Sequence, residues 1–312
     1  VIALAVVITV LVMRPSGGGG PTPTPTNGNS DFASANDTGP VNIIAEDPTC
    51  EAWVRVANEY STKAKSFNWG DRDFSVPASA WTPEQRTMYE TVGQAMTQAA
   101  DQTANLVKQT PHRVMRELYE QFSAYTRKFV ESIPTYVAAN DNLAAVSDAI
   151  DAGLNNICSA ISFHSAPPLA PLIGDPASPS ALSPMGDPSA PEAFLDSPSS
   201  ICSEWASMVS KFDDDTKAWL AGDPKVPANQ WTAEQKAIND AVMPVMTANA
   251  DELERLGRQS NNLTLEDFAV LAAQYQRAYV TALPTYTSSD GFLIQSASFL
   301  VNAINFACKA AG

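Results

Sequence analysis

Histidine is nearly absent: His112 and His164 are the only two in 312 residues. Neutral-pH proton transfer most often recruits that side chain, so its scarcity argues against an enzyme. Basic residues are also few, 19 Lys and Arg against 34 Asp and Glu, for a net charge of −15. Nucleic-acid binding requires a basic surface that displaces counterions, so this balance argues against it. The same balance argues against docking on anionic lipid headgroups through a polybasic patch. The four cysteines, Cys50, Cys158, Cys202 and Cys308, lie far apart in sequence. No CxxC redox pair or zinc ribbon is therefore present. A nucleophile elbow, a P-loop and an EF-hand spacing are missing too. No alternation of apolar and polar residues runs long enough for a sheet. No cofactor or metal site is expected.

What is present begins with an apolar run, Val1 to Met13, followed by Arg14, Pro15 and four glycines from Gly17 to Gly20. A membrane-spanning helix takes roughly 20 apolar residues, so this run is short for one. Neither a small-x-small cleavage site nor a lipobox cysteine follows it. Residues 1–14 are read as a partial signal anchor, with a cleaved signal peptide as the alternative. Residues 15–45, with the PTPTPT motif and many small polar residues, are expected to be a disordered spacer. A second Pro-, Ala- and Ser-rich stretch, 161–199, is expected to be a disordered linker.

Between these stretches the chain repeats itself at an offset of 150 residues. Val76-Pro77-Ala78, Trp81-Thr82 and Glu84-Gln85 return as Val226-Pro227-Ala228, Trp231-Thr232 and Glu234-Gln235. Met96-Thr97 matches Met246-Thr247, and Asp101 matches Asp251. Tyr125, Arg127 and Val130 match Tyr275, Arg277 and Val280, and Pro134-Thr135-Tyr136 matches Pro284-Thr285-Tyr286. About twenty of roughly sixty aligned positions are identical, far above chance. Outside the ungapped span, Cys50-x-x-Trp53 matches Cys202-x-x-Trp205, and Asn155-x-x-Cys158 matches Asn305-x-x-Cys308. Each copy, 46–160 and 200–312, thus opens and closes on a cysteine. A module that once stood alone must close within itself, so the expected pairs are Cys50 with Cys158 and Cys202 with Cys308.

Apolar spacing within each copy is helical. Thr82-Pro83-Glu84-Gln85 is a helix start with a capping box, repeated at Thr232 to Gln235. Met88, Val92, Ala95, Met96, Ala99 and Leu106 follow as one stripe, and Pro244 is expected to kink the matching helix. Val114, Met115, Leu118, Phe122, Tyr125 and Phe129 form another stripe, and Leu143, Val146, Ile150, Leu154 and Ile157 the last. With a first helix from Cys50 to about Ser66, four antiparallel helices bring the two cysteines to one end. An odd number would separate them. The expected fold is all-α: two tandem disulfide-closed four-helix bundle domains after an N-terminal membrane anchor.

Candidate site residues are those that recur. Trp81 and Trp231 either form a partner loop or pack beneath a bundle end. Arg127 and Arg277 either bind an anion or pair with Asp101 and Asp251. Tyr136 and Tyr286 read as helix-end packing, Trp53 and Trp205 as the opening of each copy, and Asp213-Asp214-Asp215 as a solvated acidic surface. His112 is expected at the surface, in the first turn of the third helix.

An apolar anchor, the GGGG-PTPTPT spacer and Cys-x-x-Trp domain openings together resemble membrane-anchored extracytoplasmic envelope proteins of mycobacteria and related actinobacteria. The resemblance implies residence at the inner membrane with the folded part extracytoplasmic, and it carries over no catalytic residue. The functional expectation is a non-enzymatic, membrane-tethered interaction or accessory module serving an envelope protein complex. The alternative is a binder or sensor of a small apolar envelope ligand such as a lipid, built around Trp81, Met88, Met96, Phe122 and Tyr125.

Overall fold

The computed structural model describes residues 31–312, and among them there is no strand. The expected anchor, residues 1–14, and spacer residues 15–30 lie outside the described residues. Among the described residues nine α-helices follow in order: α1 (Cys50–Ser66), α2 (Pro83–Gln109), α3 (Arg113–Ser132), α4 (Asp141–Ser162), α5 (Ile201–Asp215), α6 (Lys217–Leu220), α7 (Ala233–Gln259), α8 (Leu263–Ala282) and α9 (Gly291–Ala311).

Local sequence sets the starts of α2 and α7. Thr82 and Thr232 each accept from the backbone N–H three residues on, and Gln85 and Gln235 each reach back to the cap N–H. Two otherwise orphaned donors are satisfied at each start. α7 continues through Pro244 as one element. In the first half α1 packs on α2 and α4, and α3 packs on α2 and α4; α5, α7, α8 and α9 repeat that neighbour set. Disulfides join Cys50 to Cys158 and Cys202 to Cys308, with Cα atoms 5.4 and 5.5 Å apart.

The halves are not separate. α4 lies antiparallel along α9: Phe163, just past the end of α4, stacks on Phe292 at the start of α9 at 5.2 Å. Mid-helix, a Cβ on Gly153 would sit 3.7 Å from Phe299 Cβ. The first turns of α3 and α8 meet as well. Both helices are consequently buried on every side over most of their length, α3 from Arg113 to Thr126 without a break. Among the described residues one helical segment, Ser288–Ala311, is long and apolar enough to cross a membrane, but half of its most apolar stretch is buried inside this fold. It comprises α9, whose apolarity is explained by packing between α4 and α8.

Two stretches expected to be disordered make defined contacts with the helices. In the 161–199 stretch, α4 runs on to Ser162, His164 takes a left-handed conformation (φ 58°), and Ala166 is fully buried. Further along, Gln121 donates to the Glu192 carbonyl (3.0 Å), Gln274 to that of Gly174 (3.0 Å) and Arg258 to that of Ala177 (2.7 Å). The physical reason lies chiefly in α3 and α8, whose part-buried Gln121 and Gln274 offer donors that need acceptors; the Pro-rich segment supplies carbonyls. Residues 31–45 of the expected spacer are likewise held, with Val41, Ile43 and Ile44 buried. Three apolar side chains in a run of four gain more from burial than a spacer composition suggests.

Candidate functional site

The recurrent residues build one latch per half. The Trp81 indole N–H donates to the Val76 carbonyl at 2.9 Å, and Trp231 to that of Val226 at 2.9 Å. The Tyr136 hydroxyl donates to the Phe74 carbonyl (2.8 Å), and Tyr286 to that of Pro224 (2.6 Å). In return the Ala78 and Ala228 N–H groups donate to the Tyr136 and Tyr286 carbonyls, both at 2.9 Å. Positions 150 apart thus make the same bonds. The latches differ in packing: Trp81 stacks on Tyr89 at 3.9 Å, whereas the matching position holds Asn239. Trp231 instead lies 5.9 Å from Tyr286 and is only half-buried.

Arg127 pairs with Asp101 at 2.6 Å, and Arg277 with Asp251 and Glu254, both at 2.8 Å. Trp53 is fully buried against Tyr119 and Phe122, with ring centroids 5.5 and 5.1 Å away. Trp205 is equally buried and donates to the Val301 carbonyl at 3.2 Å. In the acidic run, Asp214 pairs with Lys217 at 2.6 Å and Asp215 with Lys211. His112 is the residue before α3, its Nε2 2.8 Å from the Glu46 carbonyl. The candidate site residues are therefore spread over both halves, each engaged within its own half.

Sequence reasoning missed a charged cluster where α3 meets α8. Arg113 donates to Asp267 at 2.7 Å and to the Asp37 carbonyl at 2.7 Å. Arg116 bonds Glu117 (3.1 Å) and Glu120 (3.0 Å). Glu117 and Asp267 occupy positions 150 apart and face each other. Burial, and then the Asp267 charge, push the Glu117 carboxyl well above the usual carboxylate range. The available signal was four charges in eight residues of α3, interleaved with apolar ones, which by periodicity alone reads as an exposed face.

A second polar cluster belongs to the first half alone. In the seam between α1 and α4, Arg72 pairs with Asp141 at 2.5 Å and lies 3.9 Å over the Trp69 ring. The Tyr60 hydroxyl donates to Asp148 at 3.3 Å, and Asn155 donates to Asp151 at 3.0 Å. Burial raises Asp148 to about 6, with Arg72 pulling against it. Burial and the neighbouring Asp148 charge raise Asp151 to about 8. At the matching positions the second half carries Ser298 and Val301 for the two aspartates, Gly291 for Asp141 and Gly222 for Arg72. Among the described residues no group of three or more His, Cys, Asp or Glu is placed to hold a metal ion.

The structure is thus that of an all-helical, doubly disulfide-bonded protein whose recurrent polar residues serve its own fold. Residues 32–312 match the mycobacterial ESX-1 associated protein family, and the chain belongs to that family. It is 44% identical over 282 residues to an uncharacterised protein of Mycolicibacterium smegmatis, covering 90% of this chain and 74% of that one. No solved structure matches it.

Proposed function

We propose that this chain is a non-enzymatic accessory protein of an ESX-1 secretion system, acting by protein–protein contact on the extracytoplasmic side of the membrane. The observation that carries this reading is family membership over residues 32–312. Two disulfides support an oxidising compartment, because reduced thiols prevail in the cytosol. The engagement of Trp81, Trp231, Arg127 and Arg277 within the fold supports a contact role carried by surface shape rather than by a reacting group. In this reading two four-helix bundles are fused into one scaffold, tethered through the N-terminal apolar segment to a membrane-protein partner.

The lipid reading has less support. Of the side chains expected to line an apolar pocket, Trp81, Met96, Phe122 and Tyr125 are packed and buried, and Met88 is half-buried. A groove of about 380 Å³ runs between α1 and α2, but Glu59, Lys63, Gln94, Gln98 and Gln102 line much of it. That rim suits water or peptide better than an acyl chain.

The test is photo-crosslinking of the full chain in mycobacterial cells, joined to a secretion assay in a deletion strain. A discrete adduct with a secretion component, and reduced export of ESX-1 substrates without the protein, is the expected result. Normal export together with no protein adduct would sink the proposal.

A further inference from the structure

The α1–α4 seam of the first half contains three carboxyl groups and one cation. Arg72 is committed to Asp141 at 2.5 Å, so the closest polar partners of Asp148 and Asp151 are Tyr60 and Asn155. Both aspartates are half-buried and lie one helical turn apart, so the second negative charge is costly and the site favours a protonated form. At the matching positions the second half carries Ser298, which is exposed, and Val301, which is half-buried, and there α5 still packs on α9. The two aspartates are therefore not required to build this kind of seam.

Arg72 attracts Asp148 from its pairing with Asp141, and the other neighbouring charges are engaged elsewhere or solvated. On α1 the other charged groups are Glu51 and Arg55, paired at the surface, Glu59 beside Gln102, Lys63 against the Phe67 ring, and the exposed Lys65. On α3, Arg113, Arg116, Glu117 and Glu120 belong to the cluster near α8, and Arg127 to Asp101. Lys128 and Glu131 on α3 remain partly or fully open to solvent. The only charged residue of α9, Lys309, lies 5.2 Å over the Phe306 ring. Asp71, beside Arg72, is exposed.

We infer that Asp148 and Asp151 form a proton-controlled clasp: protonated, they let α1 close on α4; ionised, they loosen the middle and C-terminal part of α1. The movement is bounded at both ends. Cys50–Cys158 ties the start of α1 to α4, and Arg72–Asp141 ties the segment after α1 to the start of α4. Tyr60 stands on both sides of the clasp, bonding Asp148 and lining the α1–α2 groove. Loosening α1 therefore reshapes that groove, which makes its shape depend on pH. With Asp148 at about 6 and Asp151 at about 8, the transition spans mildly acidic to mildly alkaline pH. The inference stands independently of the secretion role.

The test is hydrogen–deuterium exchange by mass spectrometry on the full chain with disulfides intact, corrected for intrinsic exchange rates, with α5 as the internal control. Exchange of residues 50–66 relative to 201–215 is expected to rise about tenfold or more between pH 5.5 and 8.5. Asp148→Ser with Asp151→Val, the residues of the second half, should abolish the rise. Asp148→Asn with Asp151→Asn carries the test should the first variant misfold, and should also exchange independently of pH. An α1 to α5 ratio that stays constant in the wild type overturns the inference, as does a variant that keeps the wild-type pH dependence. Carboxyl carbon NMR gives a direct check: midpoints of both aspartates near 4 would equally overturn it.

Discussion

Tyr125 of α3 and Tyr275 of α8 stand 150 residues apart, and each grips the arm that leads into the other half of the chain. The Tyr125 hydroxyl donates to the Leu195 carbonyl at 2.9 Å and accepts from the Leu195 N–H at 3.3 Å. The Tyr275 hydroxyl accepts from the Ile44 N–H at 3.2 Å. Leu195 precedes Cys202, and Ile44 precedes Cys50, by a similar number of residues. The arms are therefore exchanged between halves. Both tyrosines are fully buried, so each hydroxyl satisfies backbone groups that lack easy access to water.

Removing either hydroxyl follows directly. Tyr125→Phe and Tyr275→Phe should each cost about 1–2 kcal/mol in urea denaturation, since each leaves buried backbone groups unpaired. The double variant should lose close to the sum, the sites being separate. A change below a few tenths in both single variants would mean that the arms contribute nothing to the native state.

Arg113→Ala should be more severe. It removes the cation bonded to the buried Asp267 and also releases the Asp37 and Gly39 carbonyls, for about 3–5 kcal/mol. Glu117→Gln should cost under about 1 kcal/mol, because folding already favours the neutral carboxyl. The sign of the pH effect follows from the raised pKa. Stability is fullest below the unfolded pKa near 4 and falls as pH rises toward the folded value. Denaturation at pH 5 and pH 8 should therefore show less pH dependence in Glu117→Gln than in the wild type.

The two latches should respond unequally. Trp81 is buried and stacked on Tyr89, so Trp81→Ala should cost about 3–5 kcal/mol. Trp231 is half-buried and lacks that partner, and Trp231→Ala should cost about 1–2 kcal/mol. Thermal unfolding followed by circular dichroism checks the order. Equal losses would contradict the packing difference.

Gly257 marks a close crossing of α7 and α8. A Cβ there would lie 2.6 Å from Ala269 Cβ and 3.4 Å from the Glu266 backbone. Gly257→Ala should therefore cost about 1–3 kcal/mol, despite alanine's better helix propensity. At Gly93 the nearest obstacle is the flexible end of Ile133, at 2.7 Å. Gly93→Ala should lie within about 1 kcal/mol of neutral, because that side chain can shift while the helix gains propensity. Denaturation midpoints of the two variants would separate these cases.

The helices were legible because their causes are local. The capping boxes at Thr82 and Thr232 and the apolar stripes of α2 and α3 mark them along the sequence. The disulfide pairing was legible because the duplicated ends each carried one cysteine. The charges of α3 were not. Arg113, Arg116, Glu117 and Glu120 look like an exposed face until a second helix covers them. Asp148 and Asp151 gave no signal for a related reason, since their environment is set by Tyr60, 88 residues away from Asp148.

The sequence by itself determined the main helices, the class of fold and the pairing of the four cysteines, since spacing, capping and duplication act over short stretches or by simple symmetry. Tertiary structure alone decided that α4 and α9 join the halves, that the arms cross between them, and that Asp148 and Asp151 become partly shielded between helices with Tyr60 and Asn155 as their bonded partners. Those outcomes depend on which surfaces exclude water from one another, and that is a property of the packed chain rather than of any one segment.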